Sequence, residues 1–263
     1  MNIGQLFQQF ENTKILVLGD IMVDAYFSGS VTRISPEAPV PIVNLRNKEQ
    51  RLGGAANVAL NLKSLGAEPI ICSVKGNDAD GNILKELCSK EGLLTHALIN
   101  DYSRRTTVKT RIIGNNHQLL RVDEEDTDPI EESVEDLVYE AVKSLITEID
   151  VLIFQDYNKG LLTPSLIARV ITLCKKGNVP MVVDPKFHNF YEYQGVTLFK
   201  PNKKEITEAE NIIDKLGLDD IKKVAQVVRK KLNAERIMTT LSEDGVLIDT
   251  AHETVHLPAH PRK

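Results

Sequence analysis

Five short stretches of the sequence carry residue types that suit a small oxygen-rich ligand. In Gly53-Gly54-Ala55-Ala56-Asn57, two residues without side chains precede a helical pattern. Free N–H groups at such a helix start can approach a ligand oxygen closely, and Asn57 offers a donor and an acceptor suited to a hydroxyl. A merely tight helix start would read the same way. Gly19-Asp20 and Asp24 follow an apolar run, and a carboxylate there can accept hydrogen bonds from neighbouring hydroxyls or simply cap a turn. Asn202-Lys-Lys-Glu205 has the spacing of a capping box, and its oxygens also suit a hydrated divalent cation. Thr240-Leu-Ser-Glu-Asp-Gly245 reads as a polar turn after a strand. Arg33-Ile-Ser-Pro-Glu-Ala-Pro-Val-Pro41 is too proline-rich for a helix and too regular in its polar/apolar alternation for a random linker.

These stretches must be positioned by the elements around them. Lys14–Gly19 reads as a buried parallel strand, followed by strands over 24–30 and 40–46. A helix over 55–65 stops at Gly66, then come a strand over 68–74 and a helix over 79–90. Residues 106–114 and 118–123 read as a β-hairpin around Gly114-Asn-Asn. Asp128-Pro129 is expected to open a long helix, with the acidic cluster 123–128 as a solvated loop and helix start. Beyond it, strands at 151–154, 180–184, 197–199, 236–241, 246–249 and 254–257 alternate with helices at 165–176, 203–210 and 219–232. That rhythm predicts an α/β fold with a mostly parallel sheet covered on both faces, and a separate small sheet from the early hairpins.

Composition excludes several classes. Net charge is −5 without a long basic run, so nucleic acid and anionic membranes are not expected partners. No apolar run approaches the roughly 20 residues that span a bilayer, and residues 1–13 lack a secretory apolar core. Cys72, Cys88 and Cys174 are scattered, which fits buried thiols in a reducing cytoplasm. His252 and His256 share one face of a strand-like stretch, but no third ligand accompanies them, so zinc is not expected. Neither G-x-G-x-x-G nor G-x-x-x-x-G-K-[ST] occurs, which removes the fingerprints of a dinucleotide oxidoreductase and a P-loop enzyme.

Taken in order, Gly-Asp-Ile-Met-Val-Asp at 19–24, the runs 33–41 and 53–57, His117–Asp123, Asp156-Tyr-Asn-Lys-Gly160, Val183-Asp-Pro-Lys186 and Asn202–Glu205 resemble the ribokinase-like (PfkB) sugar kinases over essentially the whole chain. Within that family they are most similar to its heptose 7-phosphate kinases. The resemblance implies a three-layer α/β/α fold in a single domain over 1–263, with β-lid strands over roughly 24–48 and 104–123. It implies ATP and Mg²⁺, a sugar-phosphate substrate, a homodimer through the lid, and transfer to O1 of D-glycero-D-manno-heptose 7-phosphate on the way to ADP-heptose and lipopolysaccharide core. Asp20, Asp24, Gly53, Gly54 and Asn57 are then expected at sugar hydroxyls. Lys109, Arg111, Arg121, Lys159 and Lys186 are candidates for the 7-phosphate. Asn202, Thr240, Ser242 and Gly245 are expected at the nucleotide, and Glu205 at the metal.

The family's Gly-Ala-Gly-Asp, whose aspartate is the general base, does not occur in the 263 residues. The resemblance therefore places the base beyond Lys263. The expectation is a kinase domain that is incomplete at its C-terminus and inactive alone, with no catalytic base among these residues. Another ribokinase-like sugar kinase and a non-catalytic sugar-phosphate-binding fragment remain alternatives.

Overall fold

A computed structural model describes residues 3–213 and 216–260. A short helix α1 (Ile3–Gln8) leads into β1 (Lys14–Gly19), whose apolar residues are buried on both faces. β2 (Ile21–Ile34) and β3 (Pro41–Gly54) form a long hairpin, and α2 (Ala55–Ser64) starts directly at its end. Then follow β4 (Glu68–Gly76), α3 (Ala79–Lys90), β5 (Leu94–Asp101) and the hairpin β6 (Val108–Gly114) and β7 (His117–Glu124). The remainder is α4 (Glu132–Leu145), β8 (Val151–Gln155), α5 (Pro164–Gly177), β9 (Met181–Asp184), β10 (Leu198–Phe199), α6 (Lys203–Ala209), α7 (Leu218–Lys231), β11 (Arg236–Thr240), β12 (Val246–Asp249) and β13 (Thr254–Leu257).

The strands make two sheets. The larger runs β13-β12-β11-β10-β9-β8-β1-β4-β5, parallel except for β12 and β13. The smaller runs β3-β2-β6-β7. Alternation along β1 separates two cores on opposite faces of the large sheet. Leu16 and Leu18 pack with residues of α4, α5 and α7, whereas Ile15 and Val17 pack with α2, α3 and the root of the small sheet. The result is a three-layer α/β/α body with a β lid, as the sequence implies.

Local signals explain most boundaries. Thr163 caps α5 through its hydroxyl, Pro164 fills the first helical position, and Asn178 ends the helix in the left-handed region at φ 53°. Asp78 caps α3 by accepting the Gly81 N–H at 2.7 Å. Three expectations are corrected. The helix expected to open at Asp128-Pro129 begins at Glu132, because the Ile130 N–H is drawn to the Gly160 carbonyl at 3.0 Å and Glu131 is extended as its cap. β5 has no counterpart among the expected strands, since as an edge strand of mixed polarity it shows little alternation. His252 lies in the turn before β13, so it shares no strand face with His256. Lys263, the residue beyond which the general base is expected, lies outside the described residues.

Candidate active site

The two faces of the small sheet differ sharply. In-register pairing places Asp24 beside Lys109 and Arg51, and Tyr26 beside Arg111, with Asp123 and Arg121 next on β7. The opposite face carries Ala25, Phe27, Leu45, Ile112, Leu120 and Val122. The charged face looks toward the carboxyl ends of the large sheet, because Lys109 and the loop after β8 meet there on one carboxylate. Glu125 accepts from Lys109 at 2.9 Å and from Lys159 at 2.7 Å, and Lys109 also reaches Asp123 at 3.0 Å. Burial pushes the Glu125 carboxyl up, but the hydrogen bonds from Lys159 and Lys109 outweigh it and hold the group below its ordinary value.

The glycine pair is required by close approach. A methyl group at Gly53 would lie 2.4 Å from Asp24 Oδ2. Gly54 takes φ 58° and ψ −135° as the cap of α2, and a methyl there would lie 2.3 Å from the Asp20 carbonyl oxygen. That same carbonyl accepts the Ala55 N–H at 2.9 Å, so the turn from β3 into α2 is pinned to the β1–β2 corner. Asn57 is exposed in the first turn of α2. Asp24 pairs with Arg111, whose guanidinium stacks over Tyr26 at 5.2 Å.

Asp20 is only 4% exposed, and its Oδ2 accepts the N–H groups of Tyr157 at 2.8 Å and Lys159 at 3.1 Å. It therefore holds the loop that carries Lys159. Burial, and after it the charge of Asp156, pushes its pKa up to about 6, against the backbone bonds that lower it. Asp156 is likewise buried and accepts from the Tyr193 hydroxyl at 2.8 Å.

A second cluster lies at the ends of β9 to β11. Asn202 and Glu205 form a reciprocal capping box on α6, at 2.9 and 2.8 Å. The Lys186 ammonium rests on the other Glu205 oxygen and over the Tyr157 ring at 5.9 Å. This joins the second cluster to the loop after β8. Thr240 donates its N–H to the Pro201 carbonyl at 3.1 Å and bridges to Asn202, so the end of β11 lies beside the capping box. Ser242 and Gly245 follow in a 3₁₀ turn with φ 55° and 94°.

The expected residues thus fall into two groups. Asp20, Asp24, Gly53, Gly54, Lys109, Arg111 and Lys159 gather where the small sheet meets β1 and β8. Lys186, Asn202, Glu205 and Thr240 gather further along the same sheet edge. Arg121 is half-exposed and pairs with Asp123 at 2.8 Å. Glu125 corrects the reading of 123–128 as a solvated loop: two lysines from different elements close on it. Tyr26, Glu125 and Arg104 are not among the expected site residues; Glu125 and Arg104 sit in ordinary charged segments, and Tyr26 follows Asp24 in a largely apolar one.

Among the described residues no three His, Cys, Asp or Glu side chains gather as a metal cage. The three thiols are buried and pushed up by burial, Cys72 and Cys174 to about 12 and Cys88 to about 11. No helix among the described residues is long and apolar enough to cross a membrane.

Comparison with known proteins agrees with this geometry. Residues 12–263 match the pfkB family carbohydrate kinases. The bifunctional protein HldE of Pelobacter propionicus is 37% identical over 263 residues, which are 100% of this chain and 54% of that protein. HldE of Nitratiruptor sp. is 41% identical over 235 residues, 89% of this chain and 49% of that protein. The chain spans about half the length of the curated relatives it matches. The structure of phosphofructokinase-2 from Escherichia coli in complex with fructose-6-phosphate shares the fold, with a TM-score of 0.73 and 19% identity over 96% of this chain and 81% of that one. A charged lid facing the strand ends, a glycine turn pressed against a carboxylate, and a family match over nearly the whole length lead to one conclusion: the chain belongs to the pfkB family of carbohydrate kinases.

Proposed function

We propose that this chain is the sugar-kinase portion of a heptose 7-phosphate kinase, which uses ATP to phosphorylate D-glycero-D-manno-heptose 7-phosphate at O1 for ADP-heptose and lipopolysaccharide core synthesis. The observation that carries the reading is the Lys109–Glu125–Lys159 contact, where a lid cation and a core cation converge on one anionic group next to Asp24. A sugar bound through its hydroxyls at Asp24 places its distal phosphate near those lysines. Similarity to HldE proteins over most or all of this chain supports the choice of sugar.

The chain's own residues bind and orient. Asp24 accepts from two adjacent hydroxyls, and Gly53 and Gly54 let the backbone approach the ring. Asn57, exposed at the start of α2, donates to a further hydroxyl. Asp20 holds the loop of Lys159 in place. Arg111 keeps Asp24 aimed, and Lys109 and Lys159 exchange Glu125 for the phosphate. Closure of the lid over these groups keeps water from the transferring phosphoryl. The 263 residues, Met1 to Lys263, contain no Gly-Ala-Gly-Asp, so proton removal from O1 is not assigned to any of them.

The donor set near Glu205 fits a hydrated Mg²⁺ carried by ATP. Each Glu205 oxygen holds one donor and keeps capacity to accept from a metal-bound water, as suits an ion that retains several waters. Asn202, Thr240, Ser242 and Gly245 line the nucleotide side, and Lys186 stands with them at Glu205. When bound, the ion neutralises charge on the triphosphate.

The apolar outer face of the lid, with Leu120 57% exposed and Leu45 and Val122 exposed on the same face, is assigned to a second copy of the chain. A cytoplasmic setting suits three buried free thiols. Calorimetric titration of the chain with heptose 7-phosphate, fructose 6-phosphate and ribose tests the acceptor. Preference for the heptose phosphate supports the reading, and equal binding of fructose 6-phosphate shifts it to another sugar kinase of the family.

A further inference from the structure

The loop that carries Lys159 is fixed by a residue outside every motif. Arg104 lies between β5 and β6, at the root of the lid, with its side chain 10% exposed. Its guanidinium meets Asp101, three residues earlier, and two segments distant in sequence. Nε lies 3.1 Å from Asp101 Oδ2, Nη1 donates to the Lys159 carbonyl at 2.8 Å, and Nη2 donates to the Asp128 carbonyl at 2.7 Å. The fit leaves no slack: a methyl group on Gly160, which takes φ 84°, would lie 1.9 Å from the Asp128 oxygen and 3.2 Å from Nη2. The adjoining lid root is tied down as well, with the Arg105 N–H on Asp126 at 2.8 Å and the Thr106 N–H on Asp78 at 2.8 Å. Lys159 is thus held at both ends, its carbonyl by Arg104 and its ammonium by Glu125.

We propose that Arg104 is a positioning residue for the phosphate end of the acceptor. It touches no substrate atom. It aims Lys159 through the Lys159 carbonyl and links that aim to the root of the lid, so that lid and core cations converge on the same anion. A planar fork can serve one carboxylate and two carbonyls at once, which a lysine ammonium on a flexible stem cannot reproduce. The proposal rests on the reading of Lys159 as a phosphate contact.

The test is the ratio of affinities for heptose 7-phosphate and unphosphorylated heptose, measured by calorimetry on the wild type, Lys159→Ala, Arg104→Lys and the double variant. Lys159→Ala is expected to lower the ratio tenfold or more. Arg104→Lys is expected to lower it about tenfold while binding of unphosphorylated heptose changes less than twofold. The double variant loses no more than Lys159→Ala alone. Asp101→Asn, which leaves the guanidinium but removes its counter-ion, lowers the ratio in the same direction and serves if Arg104→Lys does not fold. Parallel loss of both affinities, or a lower melting temperature with the ratio intact, overturns the proposal and leaves Arg104 a structural clamp. A ratio unmoved by Lys159→Ala, or a wild type that does not bind the heptose phosphate, overturns the acceptor reading and this proposal with it. A ratio lowered by Lys159→Ala but not by Arg104→Lys overturns this proposal alone.

Discussion

The glycine pair predicts two substitutions with opposite consequences. At Gly54 an alanine meets a left-handed backbone conformation, φ 58°, and a methyl group 2.3 Å from the Asp20 carbonyl oxygen. The conformation alone costs about 1–3 kcal/mol. The overlap is with backbone that also anchors the Ala55 N–H, so either the start of α2 or the β1–β2 corner must shift. Gly54→Ala is therefore expected to cost about 3 kcal/mol or more, which lowers the melting temperature of a domain this size by roughly 6–12 °C. At Gly53 the nearest atoms belong to side chains, Asp24 Oδ2 at 2.4 Å and Met22 Cγ at 2.8 Å, and no positive φ is involved. Asp24 and Met22 can rotate away, so Gly53→Ala costs only about 1 kcal/mol. The rotation takes Asp24 off Arg111 and out of the sugar position, so affinity for heptose 7-phosphate falls tenfold or more. Thermal melts and calorimetry on the two variants separate the effects. A Gly54→Ala protein that melts with the wild type, or a Gly53→Ala protein that binds normally, refutes the reasoning.

Other consequences follow from single groups. Asp20 holds more protons folded than unfolded between its ordinary value of 3.8 and about 6, so its own contribution to stability falls as pH rises through that window and is level above it. The contribution is about 3 kcal/mol. Asp20→Asn removes it, so in urea melts the stability of the wild type relative to the variant should be greater at pH 4 than at pH 7. Asn202→Ala deletes one half of the α6 capping box and should cost about 1 kcal/mol, or roughly 2–4 °C in a thermal melt. The proposed lid dimer predicts a dimer by light scattering for the wild type and a monomer for Leu120→Glu, with melting temperature little changed.

Local chemistry was legible in the sequence where it depends on neighbours in the chain. The helix start at Ala55, the capping box of Asn202 and Glu205, and the buried strand 14–19 each follow from residue type at short spacing. What depends on distant partners was not. Glu125 looks like one more acidic residue in 123–128 until the lid brings Lys109 and the β8 loop brings Lys159 to it. The same loop draws the Ile130 N–H to Gly160, which delays α4 to Glu132 despite the Asp-Pro signal. Asp20 resembles an exposed turn carboxylate in sequence, yet the turn buries it beneath N–H groups more than 130 positions away. Lys186, expected at the sugar phosphate from its place after a strand, rests on Glu205 in the other cluster.

The central claim is that the convergent cations beside Asp24 select a phosphorylated heptose. Calorimetric titration of the chain with heptose 7-phosphate and with fructose 6-phosphate tests it most directly. Saturable binding of the heptose phosphate is expected, at least tenfold tighter than that of fructose 6-phosphate and weakened at least tenfold by Lys159→Ala. Equal affinity for the two sugars, or binding of the heptose phosphate that Lys159→Ala leaves unchanged, would contradict it.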